Sequence, residues 1–160
     1  MHQTTRDHLE VILHEFAVLG LKEEGDEITL QLDGAMLSPE HADNLSGMFL
    51  EVLPAELKLF SVQSSEVQLW NDEKKVFEHE SMRLPRLDEI LEPERPIIEP
   101  DGVLLLIING FDGPTGRWLE WRVRFKTFRL SWERQNERKP NSERSTLSVL
   151  LRRSAKRDAG

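Results

Sequence analysis

The hydrophobic and polar positions change period several times along the chain, and each change predicts an element. Leu9, Ile12, Leu13, Phe16 and Leu19 recur at three- and four-residue steps, which predicts an amphipathic helix over 5–19. A hydroxyl from Thr4 or Thr5 caps it and Gly20 stops it. Ile28, Leu30 and Leu32 then alternate with Thr29 and Gln31, the period of a half-buried strand. Asp33-Gly34 is a turn pair that ends this strand. Ser38-Pro39-Glu40 has the chemistry of a helix start, a cap followed by proline and an acid at the positive end. Leu45, Met48, Phe49 and Val52 form the buried stripe of this second predicted helix, and Pro54 ends it.

Strand-like sequence follows. Residues 57–60 and 67–70 predict either a hairpin or one bent strand. Asn71 to Lys74 is a turn, and 75–84 is the returning strand, whose polar Glu78, His79 and Glu80 suit a sheet edge. Pro85, Pro93, Pro96 and Pro100 lie within 84–100, so this stretch reads as an extended surface crossover, with a pre-extended recognition segment as the competing reading. Val103 to Ile108 lacks alternation, which predicts a strand covered on both faces. Residues 109–116 (NGFDGPTG) make a hairpin loop. From Arg117 to Trp132 the apolar positions are first odd (Leu119, Trp121, Val123, Phe125) and then even (Phe128, Leu130, Trp132), which predicts a bulge near Lys126-Thr127.

These elements add up to an α+β fold, with two helices packed on a curled antiparallel sheet of five or six strands. The expected core is Leu13, Phe16, Phe49, Val52, Leu59, Leu105, Ile107, Trp121, Val123 and Phe125. The domain spans 1–133. Residues 134–160 form a flexible basic tail, in which Leu147, Leu150 and Leu151 share the face of a short amphipathic helix over 143–157.

Composition adds three things. A chain of 160 residues fits one domain. It has no cysteine, which removes disulfides, thiolate nucleophiles and Cys-ligated metals. The net charge of −8 is unevenly spread: residues 1–100 hold 22 acidic and 8 basic side chains, and residues 101–160 hold 7 and 13. Asp7, Glu10 and Glu15 interrupt the first apolar stretch, which does not suit a secretory signal, and no apolar run approaches a membrane span. The expectation is a cytoplasmic protein with no membrane span. Asn44-Leu45-Ser46 matches a glycosylation sequon by chance in that setting.

No motif names a reaction, so no catalytic, cofactor or metal residue is assigned, and the expectation leans away from an enzyme. His8 and His14 fall on different faces of the predicted helix, and the His14-Glu15 pair lacks the second histidine of a zinc site. The histidines read as solvated or cap-region side chains. Glu78 and Glu80 read as a wet edge face rather than an acid–base pair. The glycine-rich loop lacks the lysine and hydroxyl of a phosphate loop and feeds a strand.

The candidate partner contacts are Phe111 at the loop tip, Trp118, Arg122 and Arg124 on the last strand's wet face, and Leu147, Leu150, Leu151, Arg152 and Arg153 in the tail. Arg122, Arg124 and Lys126 interleaved with Trp118 can track a nucleic acid, but the acidic body favours internal pairing. The functional expectation is a non-enzymatic protein-binding or adaptor/chaperone-like module with a protein partner or a homodimer. The first alternative is a small-molecule-binding protein or enzyme with a pocket inside the curled sheet, lined by Trp118, Trp121 or Trp70. The second is a nucleic-acid binder using the last strand and tail.

Overall fold

The computed structural model describes residues 1–5, 10–93 and 96–138. Among these there is no helix, and the α+β expectation gives way to a nearly all-β chain of two antiparallel sheets. The first sheet has the order β1 (His2–Thr4), β13 (Thr127–Arg138), β6 (Phe49–Phe60), β4 (Glu27–Leu32) and β3 (Val18–Glu24). In addition β5 (Ala35–Leu37) pairs with β6 and with β2 (Val11–Ile12). The second sheet has the order β10 (Ile97–Ile98), β11 (Leu104–Phe111), β12 (Trp118–Phe125), β7 (Ser64–Asn71) and β8 (Val76–Glu80), with β9 (Glu92–Pro93) added to β11.

Among the described residues both predicted helices are strands and loops, and residues 6–9 of the first lie outside them. In the first, Val11–Ile12 is a strand, Leu13 is buried, and Phe16 packs so closely on Gly34 that a Cβ there would meet its ring at 2.8 Å. Leu19, placed in the helical stripe by spacing, is 67% exposed on β3. In the second, residues 38–48 form a loop, Leu45 is 95% exposed, and Phe49 already belongs to β6. Pro54 lies inside that strand rather than at a helix end. Helical spacing arose here because buried positions in short strands and turns fell by coincidence three and four residues apart.

The alternation of Ile28, Leu30 and Leu32 is realised in β4, where all three are buried. Strands β6 and β13 pair from Phe60↔Thr127 to Phe49↔Arg138, and β7 and β12 pair from Ser64↔Arg124 to Leu69↔Leu119. The chain passes from β6 to β7 through 61–63 and from β12 to β13 through Lys126. Gln63 N donates to Arg124 O at 2.8 Å and Lys126 N to Phe60 O at 3.1 Å. One long two-stranded ribbon is thus folded over, half in each sheet. Ser61 stands at the bend with φ 53°. The swap of apolar parity at Lys126 marks the change of sheet, so no bulge is needed. Residues 57–60 and 67–70 are successive strands in different sheets, not a hairpin.

Side chains from both sheets form one buried cluster, including Ile28, Leu30, Leu57, Leu59, Phe128 and Leu130 from the first and Val67, Leu69, Leu106, Ile108, Trp121 and Val123 from the second. Of the expected core, Phe16, Phe49 and Leu105 are only half-buried. Leu105 and Ile107 stand on the opposite face of β11 from Leu104, Leu106 and Ile108 and are not part of that cluster.

Within 84–100, residues 84–91 are not a surface crossover, whereas Ile97 and Ile98 are exposed and residues 94–95 lie outside the described residues. Leu87, Ile90 and Leu91 are buried. Val18 N donates to Asp88 O at 2.7 Å and Ile90 N to Phe16 O at 3.1 Å, while Leu91 N donates to Asn109 O at 3.0 Å and Gly113 N to Arg86 O at 2.8 Å. The segment therefore stitches the margin of the first sheet to the second. Beyond Trp132, where a polar tail was expected, β13 continues to Arg138. The remainder of the expected tail, 139–160, lies outside the described residues, as does the proposed helix at 143–157. No helix among the described residues is long and apolar enough to cross a membrane.

Candidate functional site

The site is built by strand register on the face of the second sheet that turns away from the core. On β12 the odd residues Leu119, Trp121 and Val123 enter the buried cluster, so Trp118, Glu120, Arg122 and Arg124 lie on the other side. Cross-strand pairing carries this face across the sheet: Phe111↔Trp118, Asn109↔Glu120, Glu120↔Gln68, Gln68↔His79 and Trp70↔Phe77. One step beyond Leu119↔Leu69 in the same register stand Trp118 and Trp70. Four aromatic residues from four neighbouring strands, Phe111, Trp118, Trp70 and Phe77, thus form a row at one end of this face. All four are half-buried.

The rings meet edge to face. Phe111 and Trp118 have centroids 5.0 Å apart at 83°, and Trp70 and Phe77 have centroids 5.3 Å apart at 71°. Each pair closes its hairpin near the turn, a stabilising contact in its own right. Arg117 Nε donates to Trp70 O at 2.8 Å, tying the second pair to the first hairpin. At the β7–β8 turn, Asn71 Oδ1 accepts from the backbone N–H groups of Glu73 and Lys74, both at 3.0 Å. Lys74 holds the Glu78 carboxyl below its usual range, with help from the Asn71 amide.

The arginines of this face are answered from within. Arg122 lies 2.5 Å from Glu120, and Arg124 pairs with Glu99, with Asp101 at 3.8 Å. Among the candidate contacts, Phe111 and Trp118 are brought together, Arg122 and Arg124 sit further along the same face, and Leu147, Leu150, Leu151, Arg152 and Arg153 lie outside the described residues. Sequence reasoning missed Phe77 and gave Trp70 a different role. The missing signal was the register between strands, which period alone does not supply.

The interior offers a different picture from an enclosed tryptophan pocket. Trp121 is fully buried in the cluster, and its Nε1 donates to Ser65 Oγ at 2.9 Å. Ser65 Oγ in turn donates to Arg83 O. Of the histidines, His79 is exposed on β8 and His2 stacks on Trp132 at 5.8 Å. His14 lies 2.7 Å from Glu15. His41 is buried rather than solvated, and its Nδ1 accepts from Asp43 N at 3.0 Å. Among the described residues no three His, Cys, Asp or Glu side chains gather as a metal site requires. Asn44 of the sequon is buried, and its Nδ2 donates to the carbonyls of Leu37, Ser38 and Met48.

No protein-family model, curated protein or solved structure matches the chain.

Proposed function

We propose that the protein is a non-enzymatic protein-binding module whose docking surface is the outward face of the second sheet. The observation that carries this reading is the row Phe111, Trp118, Trp70 and Phe77 on the side of the sheet away from the core. The row reaches the sheet margin at Phe77, because β8 is the last strand in the order. An extended segment of a partner protein added beside β8 would lengthen the row and gain main-chain hydrogen bonds. Glu78 and Glu80 lie on the other face of β8, so a partner segment with apolar residues on one face and Lys or Arg on the other is complementary. Two copies paired through β8 would bring these carboxylates together, which favours a different partner over a homodimer.

The perpendicular ring pairs and the internally paired arginines support a protein partner over a nucleic acid, which is bound through flat stacking faces and unpaired cations. The cysteine-free chain suits a reducing compartment, and the cytoplasm is the one proposed. The test is selection of displayed random peptides on the full chain, followed by affinity measurement on Trp118→Lys and Phe77→Lys variants whose thermal melting is checked. Enriched peptides with alternating apolar and basic residues, weakened at least about tenfold by either substitution, are expected. Equal binding to the variants, no enrichment, or salt-dependent oligonucleotide binding in place of peptide binding overturns the reading.

A further inference from the structure

A second surface, independent of the aromatic row, lies at the far end of β6 and β13. Asp43, Leu45, Ser46, Leu50 and Gln135 line an open pocket of about 520 Å³. Leu45, on its rim, is 95% exposed. This exposure does not come from a loose loop. Asn44 Nδ2 donates to Met48 O at 2.7 Å and Ser38 O at 2.9 Å, Ser46 Oγ donates to Asn44 Oδ1 at 2.6 Å, and Met48 N donates to Ser46 Oγ at 3.2 Å. Asp43 is fixed as well, by Thr4 Oγ1 and through its backbone N–H by His41. A loop pinned on both sides of Leu45 holds a large apolar side chain in water beside a pocket of mixed lining, in which Leu45 and Leu50 are the apolar members.

We propose that this pocket is the docking site of the chain's own C-terminal segment, with Leu147, Leu150 and Leu151 covering Leu45 and Leu50. Three observations point to this occupant. The chain leaves β13 at Arg138, three residues after Gln135, which lines the pocket. The eight residues 139–146 reach up to ~28 Å when extended, so Leu147 is within range of the rim. Charge is complementary: residues 139–160 hold six Lys or Arg and two acidic side chains, whereas residues 1–138 hold 15 and 27. The apolar run is followed directly by Arg152 and Arg153, which come to the acidic body as the leucines settle.

The absence of cysteine makes a direct test simple. The full chain carrying Ala42→Cys, exposed beside the pocket-lining Asp43, and Ser148→Cys, which spares the three leucines, is treated with a short bismaleimide at low protein concentration. The comparison is the full chain with Val76→Cys and Ser148→Cys, since Val76 is exposed on β8 in the other sheet. Docking predicts an intramolecular cross-link for the first pair at least about tenfold faster than for the second, because docking adds to the effective concentration that the tether alone provides. Arg152→Glu with Arg153→Glu lowers that rate several-fold. Equal rates for the two cysteine pairs overturn the proposal. So does cross-linking between molecules that fades on dilution, which assigns the pocket to a second copy instead.

Discussion

The fully buried carboxylate of Asp112 receives two parallel hydrogen bonds from the guanidinium of Arg86, Nε to Oδ1 and Nη2 to Oδ2, both at 3.0 Å. Thr115 adds its hydroxyl at 2.6 Å and its backbone N–H at 3.2 Å. This one pair fastens the β11–β12 turn to the segment that stitches the sheets. Arg86→Ala leaves a buried charge with only its threonine partner and costs about 2–3 kcal/mol of unfolding free energy in urea titration. Arg86→Lys recovers only part of the loss, because an ammonium cannot deliver two parallel bonds.

Gly110 is required by close approach rather than by a turn. It lies inside β11, and a Cβ there would meet Leu87 Cδ1 at 2.2 Å and the carbonyl oxygen of Glu89 at 2.9 Å. The stitching segment presses directly over it. Gly110→Ala lowers stability by about 1–3 kcal/mol in chemical denaturation. The same substitution at Gly25, whose Cβ would meet nothing, is governed by its φ of +59° alone.

Ser65 is the acceptor for the Trp121 indole and the donor to Arg83 O, so it holds two buried groups at once. Ser65→Ala strands the indole N–H in the core and costs about 1–3 kcal/mol. The near-ultraviolet circular dichroism of Trp121 reports the change in its setting, while the strand signal in the far ultraviolet is retained.

The β7–β8 hairpin loosens at acid pH. Lys74 lowers the Glu78 carboxyl chiefly through a side-chain hydrogen bond, and Lys75, then the Trp70 indole, lower that of Asp72. A lowered acid stabilises the fold fully above its ordinary value and loses that contribution as pH falls through the lower folded value. Amide protection factors over Asn71–Glu80, corrected for intrinsic exchange, should fall as pH drops below the ordinary carboxylate range. Lys74→Met and added salt should both flatten the change, since the pairs are exposed.

Strand β4, the β11 core strand and the turn at Asn71 were legible because each carries a complete local signal: strict alternation, an unbroken apolar run, or an Asn that satisfies the turn with its own side chain. The first fifty residues misled for a physical reason. Apart from β4, their strands are two to seven residues long and separated by turns, so the windows around them hold too little alternation to outvote an accidental helical spacing. The parity swap at Lys126 was legible as a fact and not as a cause, because a bulge and a change of sheet leave the same mark in one strand. Phe111 and Trp118 could be singled out by their places near a turn and on a strand's outward face, but their meeting with Trp70 and Phe77 depends on register across four strands. The pocket beside Leu45 was invisible because that leucine was assigned to a buried stripe.

The folded-over ribbon imposes an order on synthesis. Strand β6 ends at Phe60, but its long partner β13 is complete only at Arg138, 78 residues later. At ribosomal rates of roughly 5–20 residues per second, one side of β6 waits roughly 4–16 s for its mate. During that wait β4 can already cover the other side, since Leu32↔Ala55 and Ile28↔Leu59 lie 23 and 31 residues apart, whereas the nearest pair with β13, Phe60↔Thr127, lies 67 apart. The nascent chain therefore carries a long, half-satisfied apolar strand for seconds, and its yield in the cell depends on what shields that margin until the last strand arrives.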